Sequence, residues 1–159
     1  MLNIDQIRCL ATKFRTAMEK TTFSDPELKS FPRGACGPTT ILLSQFLMEH
    51  GIKGMTYYCG LHLLIKENKT QSHAWIDLDG LIIDITGDQF KDKAEYGFFD
   101  IPVYVGQMDQ FHSLFHEMQT HPLRGYMDYD ESTKARYSIE YKKVLYTMAT
   151  LNKEKESEG

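Results

Sequence analysis

Three residues of this chain have side chains suited to nucleophilic chemistry: Cys36, His73 and Asp84. Cys36 lies in "GACGPTT", where Pro38 suits the first turn of a helix and Gly51 suits the position just after its end. A thiol at a helix N-terminus is close to the positive end of the helix dipole and to free backbone N–H groups, which favour the thiolate. The sequence therefore predicts a reactive thiol at Cys36.

A β-hairpin is predicted to supply the base. In "SHAWIDLDGLIIDIT", the pair Asp79-Gly80 is a two-residue turn signal between two strands. This register makes His73 and Asp84 diagonal neighbours at about 7–8 Å between backbones, a gap that an imidazole and a carboxylate can bridge. A carboxylate on one ring nitrogen fixes the tautomer and leaves the other nitrogen free to move a proton. We therefore expect His73 to act as base and Asp84 to orient it.

The same alternation gives the hairpin one wholly apolar face, which must pack on the core. Its members are Ala74, Ile76, Leu78, Leu81, Ile83 and Ile85, and the opposite face carries His73, Trp75, Asp77, Ile82, Asp84 and Thr86. Thr86, Asp88 and Gln89 follow the second strand. Solvated loop residues are the preferred interpretation, and lining of the cleft is the alternative.

Around the thiol, small residues leave room for a substrate. Gly34 and Gly37 flank Cys36 at low steric cost, and the backbone N–H groups of Cys36 and Gly37 are placed to hold a developing oxyanion. Gly34 and Trp75 are predicted to line the substrate cleft, with simple packing an equally good interpretation of Trp75.

The remaining pattern predicts an α+β fold with helices first, an antiparallel sheet next, and helices last. Apolar residues at helical spacing predict a first helix capped by Asn3 or Asp5 and a closing helix within 130–151. Further elements are a strand over 55–65 with a bulge at Gly60, a strand over 101–106, and a helix within 108–121.

Length and charge narrow the class of protein. The 159 residues suit one domain, expected over 1–152, followed by a charged disordered tail over 153–159. The net charge of −4, with bases and acids interspersed, predicts no nucleic-acid partner and no membrane partner.

The chain has three cysteines, which cannot all pair with one another. A reducing, cytoplasmic setting is therefore expected, or export as an effector without a secretory signal peptide. Cys9 and Cys59 are predicted to be core residues.

A second group of residues invites a metal interpretation. His112 and His116 are four positions apart, with Glu117 and His121 nearby. The glutamate that a metalloprotease helix carries directly after its first histidine is missing. We therefore expect a solvated helix here, and neither a metal nor another cofactor.

The stretches "GACGPTTILLSQFL" and "SHAWIDLDGLIIDIT" resemble the papain-like cysteine hydrolase superfamily, nearest its transglutaminase-like branch. They are also similar to small bacterial deamidase toxins and effectors of papain-like fold, and "RGAC" is similar to arylamine N-acetyltransferases. The resemblance spans 31–90. It implies a cysteine-bearing helix packed on an antiparallel sheet, with Cys36 as nucleophile, His73 as base and acid, and Asp84 as the orienting group. The glutamine that papain places before its cysteine has no counterpart, so a side-chain oxyanion donor is unassigned.

The hypothesis that follows is a thiol-dependent amidohydrolase acting on a protein or peptide. Deamidation of a protein glutamine is slightly preferred, with proteolysis next. Acyl transfer to an amine, in place of water, is an alternative. A non-catalytic papain-fold binding module is another, because a satisfied His–Asp pair can be purely structural.

Overall fold

The chain folds as an α+β domain in the computed structural model, which describes residues 2–158. The elements in chain order are α1 (Ile4–Lys20), α2 (Cys36–Glu49), β1 (Thr56–Leu64), β2 (Lys69–Leu78), β3 (Leu81–Asp84), β4 (Tyr104–Gly106), β5 (His116–Pro122) and α3 (Glu131–Glu158). The strands form one antiparallel sheet in the order β4-β3-β2-β1-β5. Within residues 2–158, no helix combines the length and apolar character needed to cross a membrane.

Helix α1 begins where the sequence predicts. The Asn3 side chain accepts the Gln6 N–H at 2.9 Å, and the Gln6 side chain accepts the Asn3 N–H at 2.8 Å, which is a capping box. The expectation that Cys9 is a core residue is wrong, since Cys9 is exposed. It lies two positions from both Ile7 and Ala11, and residues two apart point to opposite sides of a helix. Cys59 is buried, as expected.

Helix α2 is the central element. It contacts α1, α3, β1 and β2, and its buried side chains run without interruption from Pro38 to Leu47. A helix that is buried on all sides is mostly apolar, and its buried polar side chains here are Thr39, Thr40, Ser44 and Gln45. Its first residue, Cys36, is therefore held in a fixed place relative to the sheet.

The β2–β3 hairpin has the predicted register, with Leu78 paired to Leu81 and Ile76 to Ile83. Asp79 and Gly80 both have positive φ, 50° and 88°, as a two-residue turn of this type requires. The predicted irregularity at Gly60 is also present, as a register shift between β1 and β5. A Cβ at Gly60 would lie 2.6 Å from the Cβ of Phe115, so the close approach of this segment requires glycine.

Both faces of the sheet are covered. The three helices pack on the face that carries Ile76, Ile83 and Ile85. The other face is covered by a second core cluster, which we call the aromatic cluster: Trp75, Ile82, Phe90, Tyr96, Phe111 and Phe115. The hairpin face that carries His73 and Asp84 is therefore buried too, and these two polar side chains must find partners inside the protein.

Two predicted elements are wrong. The helix expected within 108–121 is a short 3₁₀ turn, His112–Leu114, followed by strand β5. This segment forms a strand because it pairs with the free edge of β1, and such tertiary hydrogen bonds override a weak helical pattern.

The tail over 153–159, expected to be disordered, continues α3 as far as Glu158. Its lysines and glutamates are good helix formers that extend an existing helix at little cost.

Candidate active site

Cys36 is the first residue of α2 and is half-buried. The residue before it, Ala35, is the N-cap and makes no side-chain cap, so the first-turn N–H groups are not taken by a capping side chain. These groups include those of Cys36 and Gly37, the predicted oxyanion donors. The thiol thus lies at the positive end of a fixed helix, as the sequence predicts.

His73 and Asp84 are in direct contact. His73 Nε2–H donates to Asp84 Oδ2 at 2.7 Å, and the two side chains are 0% and 1% exposed. Burial by itself lowers the pKa of His73, but the charge of Asp84, its hydrogen bond and the contact with Cys36 raise that pKa to about 10. Burial by itself raises the pKa of Asp84, yet the charge of His73 and a second histidine hold it well below its usual range. The pair is therefore an imidazolium with a carboxylate at neutral pH.

The thiol lies within hydrogen-bonding reach of His73. Burial raises the pKa of Cys36, but the hydrogen bond and charge of His73 and the backbone N–H of Ala74 outweigh burial and lower it overall. Strand β3 ends at Asp84, so the stretch of β2 that contains Ala74 has no β3 partner along this edge. The end of the β3 ladder therefore leaves this N–H available to the sulfur.

Sequence reasoning missed the role of His112. Its Nε2–H donates to the same Asp84 Oδ2 at 2.8 Å, and its Nδ1 lies 2.6 Å from Asp109 Oδ1. Its side chain is 0% exposed. A continuous chain of hydrogen bonds thus runs from His73 through Asp84 and His112 to Asp109, and His73 in turn lowers the pKa of Cys36. The sequence shows His112 only as part of a helical pattern, and nothing local to it indicates contact with a hairpin 28 residues earlier.

His112 has a carboxylate oxygen beside each ring nitrogen, Asp84 Oδ2 at Nε2 and Asp109 Oδ1 at Nδ1. Asp84 Oδ1 accepts the Thr86 N–H at 2.9 Å, so this carboxylate receives donors on each oxygen. Asp84 is therefore the shared acceptor that keeps two buried imidazole rings in place.

Gln89 is half-buried, and its amide nitrogen lies 3.4 Å from His73 Nδ1. This position contradicts the preferred interpretation as a solvated loop residue and agrees with the alternative near the cleft, but the sequence does not predict its contact with His73. The same nitrogen donates to the Thr86 carbonyl at 3.0 Å, and its oxygen accepts the Gly34 N–H at 3.3 Å. Gln89 thus joins the loop before Cys36 to the histidine, and it brings a side-chain amide beside His73 Nδ1. Gly34 itself is exposed, as a cleft residue must be.

Trp75 does not line a cleft. Its side chain is 1% exposed, stacks on Tyr58 with ring centroids 4.6 Å apart, and meets His112 edge-on at 4.9 Å. The prediction that it forms part of the substrate cleft is corrected to a packing role. The aromatic cluster covers this face of the sheet, so Trp75 shields the buried histidines from water.

The metal interpretation based on His112 and His116 does not hold, because His112 is buried and His116 is exposed on another element. A different group has ligand types that metals use: Nε2 of His73, Nε2 of His112 and an oxygen of Asp84 lie within 4.8 Å of one another. In this arrangement each Nε2–H points at the carboxylate, so the ring nitrogens serve as donors and not as ligands. We assign no metal ligands among them.

The two histidine contacts can be tested separately. His112→Asn keeps an N–H donor near the Nδ1 position, which faces Asp109, and loses the donor to Asp84. His112→Gln keeps an N–H donor near the Nε2 position, which faces Asp84. We expect His112→Asn to lower the free energy of unfolding by about 2–3 kcal/mol and His112→Gln by about 1 kcal/mol, because Asp84 is buried and the Asp109 side chain, 25% exposed, can be hydrated instead. Urea unfolding measures the difference. Equal losses would contradict a specific role for the bond to Asp84.

Comparison of the chain with protein-family models, with curated proteins and with solved structures finds no match. The chemistry of the site therefore has to be argued from its own geometry.

Proposed function

We propose that this chain is a thiol-dependent amidohydrolase with a papain-like arrangement of Cys36, His73 and Asp84. The observation that supports this proposal is a thiol at a helix N-terminus whose pKa is lowered by a buried imidazole, which itself donates to a buried carboxylate. Two separate stretches of chain supply the three groups: the helix that begins at Cys36, and the β2–β3 hairpin that carries His73 and Asp84. A structural ion pair would need only His73 and Asp84, and it would not require a thiol of lowered pKa.

The proposed reaction has two halves. In the first, the Cys36 thiolate attacks an amide carbonyl, an S–C bond forms, and the N–H groups of Cys36 and Gly37 stabilise the oxyanion. The C–N bond then breaks as Nδ1–H of His73 protonates the departing amine. In the second half, neutral His73 takes a proton from water, the resulting hydroxide attacks the thioester, and the acid leaves. This step restores the thiolate and the imidazolium.

Gln89 is the residue of this chain best placed to add a side-chain donor to the oxyanion. The resemblance to papain leaves this donor unassigned, since no glutamine precedes Cys36 at the expected distance. Gln89 comes from the turn after β3 instead, with its amide nitrogen 3.4 Å from His73 Nδ1. Gln89 can thus supply a donor to the oxyanion from a different part of the chain than the glutamine of papain does.

The preferred reaction is deamidation of a protein glutamine, with peptide-bond cleavage second. The preference rests on the resemblance to small papain-fold effectors, and the catalytic residues would be the same for both. Acyl transfer to an amine differs only in what attacks the thioester. A non-catalytic binding module would keep the buried His–Asp contact and show no thiol reactivity.

The first test is the rate of Cys36 modification by iodoacetamide against pH, located by mass mapping, with the exposed Cys9 as an internal comparison. We expect labelling of Cys36 to rise through a pKa below that of an ordinary thiol and to stay high until His73 loses its proton near pH 10. A Cys36 that reacts only at alkaline pH would contradict the proposal.

The second test measures turnover with carbobenzoxy-Gln-Gly as the probe. Ammonia release indicates deamidation, a new α-amine indicates peptide cleavage, and a hydroxamate formed in added hydroxylamine indicates acyl transfer. Cys36→Ala is the matched control and is expected to abolish every product, because the attacking atom is removed. Product formation by Cys36→Ala would assign the chemistry to another residue.

A further inference from the structure

A cavity of about 350 Å³ opens beside the proposed active site. Its lining comes from two segments: residues 30–33, directly before the cysteine helix, and residues 88–93, directly after β3. Gln89 belongs to this lining, and its amide nitrogen lies 3.4 Å from His73 Nδ1, so one side chain separates the cavity from the proposed base. A larger cavity of about 480 Å³ reaches Asp109 but is lined by neither Cys36 nor His73.

The cavity is basic although the chain has a net charge of −4. One of its arginines, Arg15, is already neutralised, because its two terminal nitrogens donate to the two Asp88 oxygens at 2.7 and 2.8 Å. Arg33, Lys91 and Lys93 are exposed, and none of the three forms an ion pair within residues 2–158. The only carboxylate left to oppose them in the lining is Asp92.

The Arg15–Asp88 pair gives the cavity a rigid floor. Arg15 is 7% exposed and also donates to the Ile85 carbonyl at 2.7 Å, while its guanidinium lies over the Phe31 ring at 4.9 Å from the centroid. These contacts join α1, the turn after β3 and the loop before Cys36. The three unpaired cations are therefore carried by segments that are fixed relative to the thiol.

We infer that this cavity binds a carboxylate side chain of the substrate, an Asp or Glu close to the amide that Cys36 attacks. The inference rests on the proposed function, because it names the class of substrate for that site. An anion here would gain from three cations that Asp92 alone opposes as an acid in the lining, although Lys93 Nζ also lies over the Phe90 ring, 5.7 Å from its centroid. Peptides with an acidic residue next to the target glutamine are therefore expected to react faster than neutral ones.

The test uses two reagents that differ in one charge, iodoacetyl-Glu-amide and iodoacetyl-Gln-amide, and compares their rates at Cys36 at low salt. The test variant is Arg33→Gln/Lys91→Gln/Lys93→Gln. The matched control, Lys142→Gln/Lys153→Gln/Lys155→Gln, removes the same charge from exposed positions of α3. A unit charge about 10 Å away in water changes such a rate about twofold, so three should lower the Glu/Gln rate ratio about five- to tenfold.

A fall of the ratio in the cavity variant alone, abolished by high salt, supports the inference. An equal ratio in the cavity variant and the wild type overturns it, and so does an equal fall in the α3 variant. A phosphate carries nearly two charges at pH 7, so an iodoacetyl-phosphoserine-amide should gain about the square of the Glu/Gln ratio from charge alone. A gain well beyond that square also overturns the inference, since the occupant would then be a phosphorylated residue.

Failure of the proposed function has a different result: Cys36 would not react even with iodoacetamide. The cavity is then tested by titration with glutarate. Binding is monitored through the amide NMR shifts of Gly34 and Lys91. Saturable shifts that disappear in the cavity variant support an anion site, and their absence overturns it.

Discussion

Asp84→Asn is expected to cause the largest loss of stability of any single substitution in the site, about 3–5 kcal/mol at pH 5.5. The wild-type carboxylate accepts from His73 at 2.7 Å and from His112 at 2.8 Å, and its side chain is 1% exposed. The amide carries no charge, so at least one buried imidazolium would lose its counter-ion. Urea unfolding of the two proteins measures the effect.

The control is Asp79→Asn, the same change in the turn of the same hairpin. Asp79 is exposed, and its positive φ of 50° is one that asparagine tolerates, so we expect a change below about 0.5 kcal/mol. If the two variants unfold at similar urea concentrations, Asp84 does not hold the charged ring of His73 together with His112, and the arrangement described for the site is wrong.

The difference between wild type and Asp84→Asn should depend on pH in a defined direction. The folded-state pKa of Asp84 is lowered, so its contribution is present above the ordinary aspartate pKa and is lost as the solution is acidified below it. The pKa of His73 is raised to about 10, so its contribution is complete below the ordinary histidine pKa of about 6.5 and is lost as the pH rises towards 10. We therefore expect the difference to be larger at pH 5.5 than at pH 9.

The hairpin and the cysteine helix could be predicted because their signals are local. Asp79-Gly80 fixes a two-residue turn, and the alternation of the flanking strands then places His73 diagonal to Asp84. Pro38 and Gly51 likewise mark the two ends of the helix that begins at Cys36. In both cases residues close in the sequence determine the position of the site residue: His73 and Asp84 on the hairpin, and Cys36 at the start of the helix.

The rest of the site depends on contacts between distant segments. His112 reaches Asp84 only because the segment before β5 crosses the sheet with its aromatic residues facing inward, and no local pattern encodes that path. The same covering layer buries Trp75, which an isolated hairpin would expose. Gln89 likewise reaches His73 only because the 3₁₀ turn Gly87–Phe90 folds back under the loop before Cys36. Gly87 permits this, since a Cβ there would lie 3.0 Å from Asp84 Oδ2.

The largest chemical effect is expected for His73→Gln, which should slow iodoacetamide labelling of Cys36 at pH 6 by about 100-fold. Without His73 the thiol loses the hydrogen bond and the charge that lower its pKa, while its burial, which raises the pKa, remains. An ordinary thiol is only ~0.3% thiolate at pH 6, and the thiolate is the reacting form. The loss should shrink as the pH rises, because the variant thiol then ionises without help.

His62→Gln is the matched control for this prediction, since it makes the same change at a half-buried histidine of β1 that contacts Tyr96. Its labelling rate should equal that of the wild type at every pH. Near-ultraviolet circular dichroism checks that both variants keep the packing of the aromatic cluster, so that a slow reaction reports the thiol and not unfolding. If a folded His73→Gln protein is labelled at the wild-type rate at pH 6, the imidazole does not stabilise the thiolate. The contact between the sheet and the cysteine helix would then be structural, as a binding module requires.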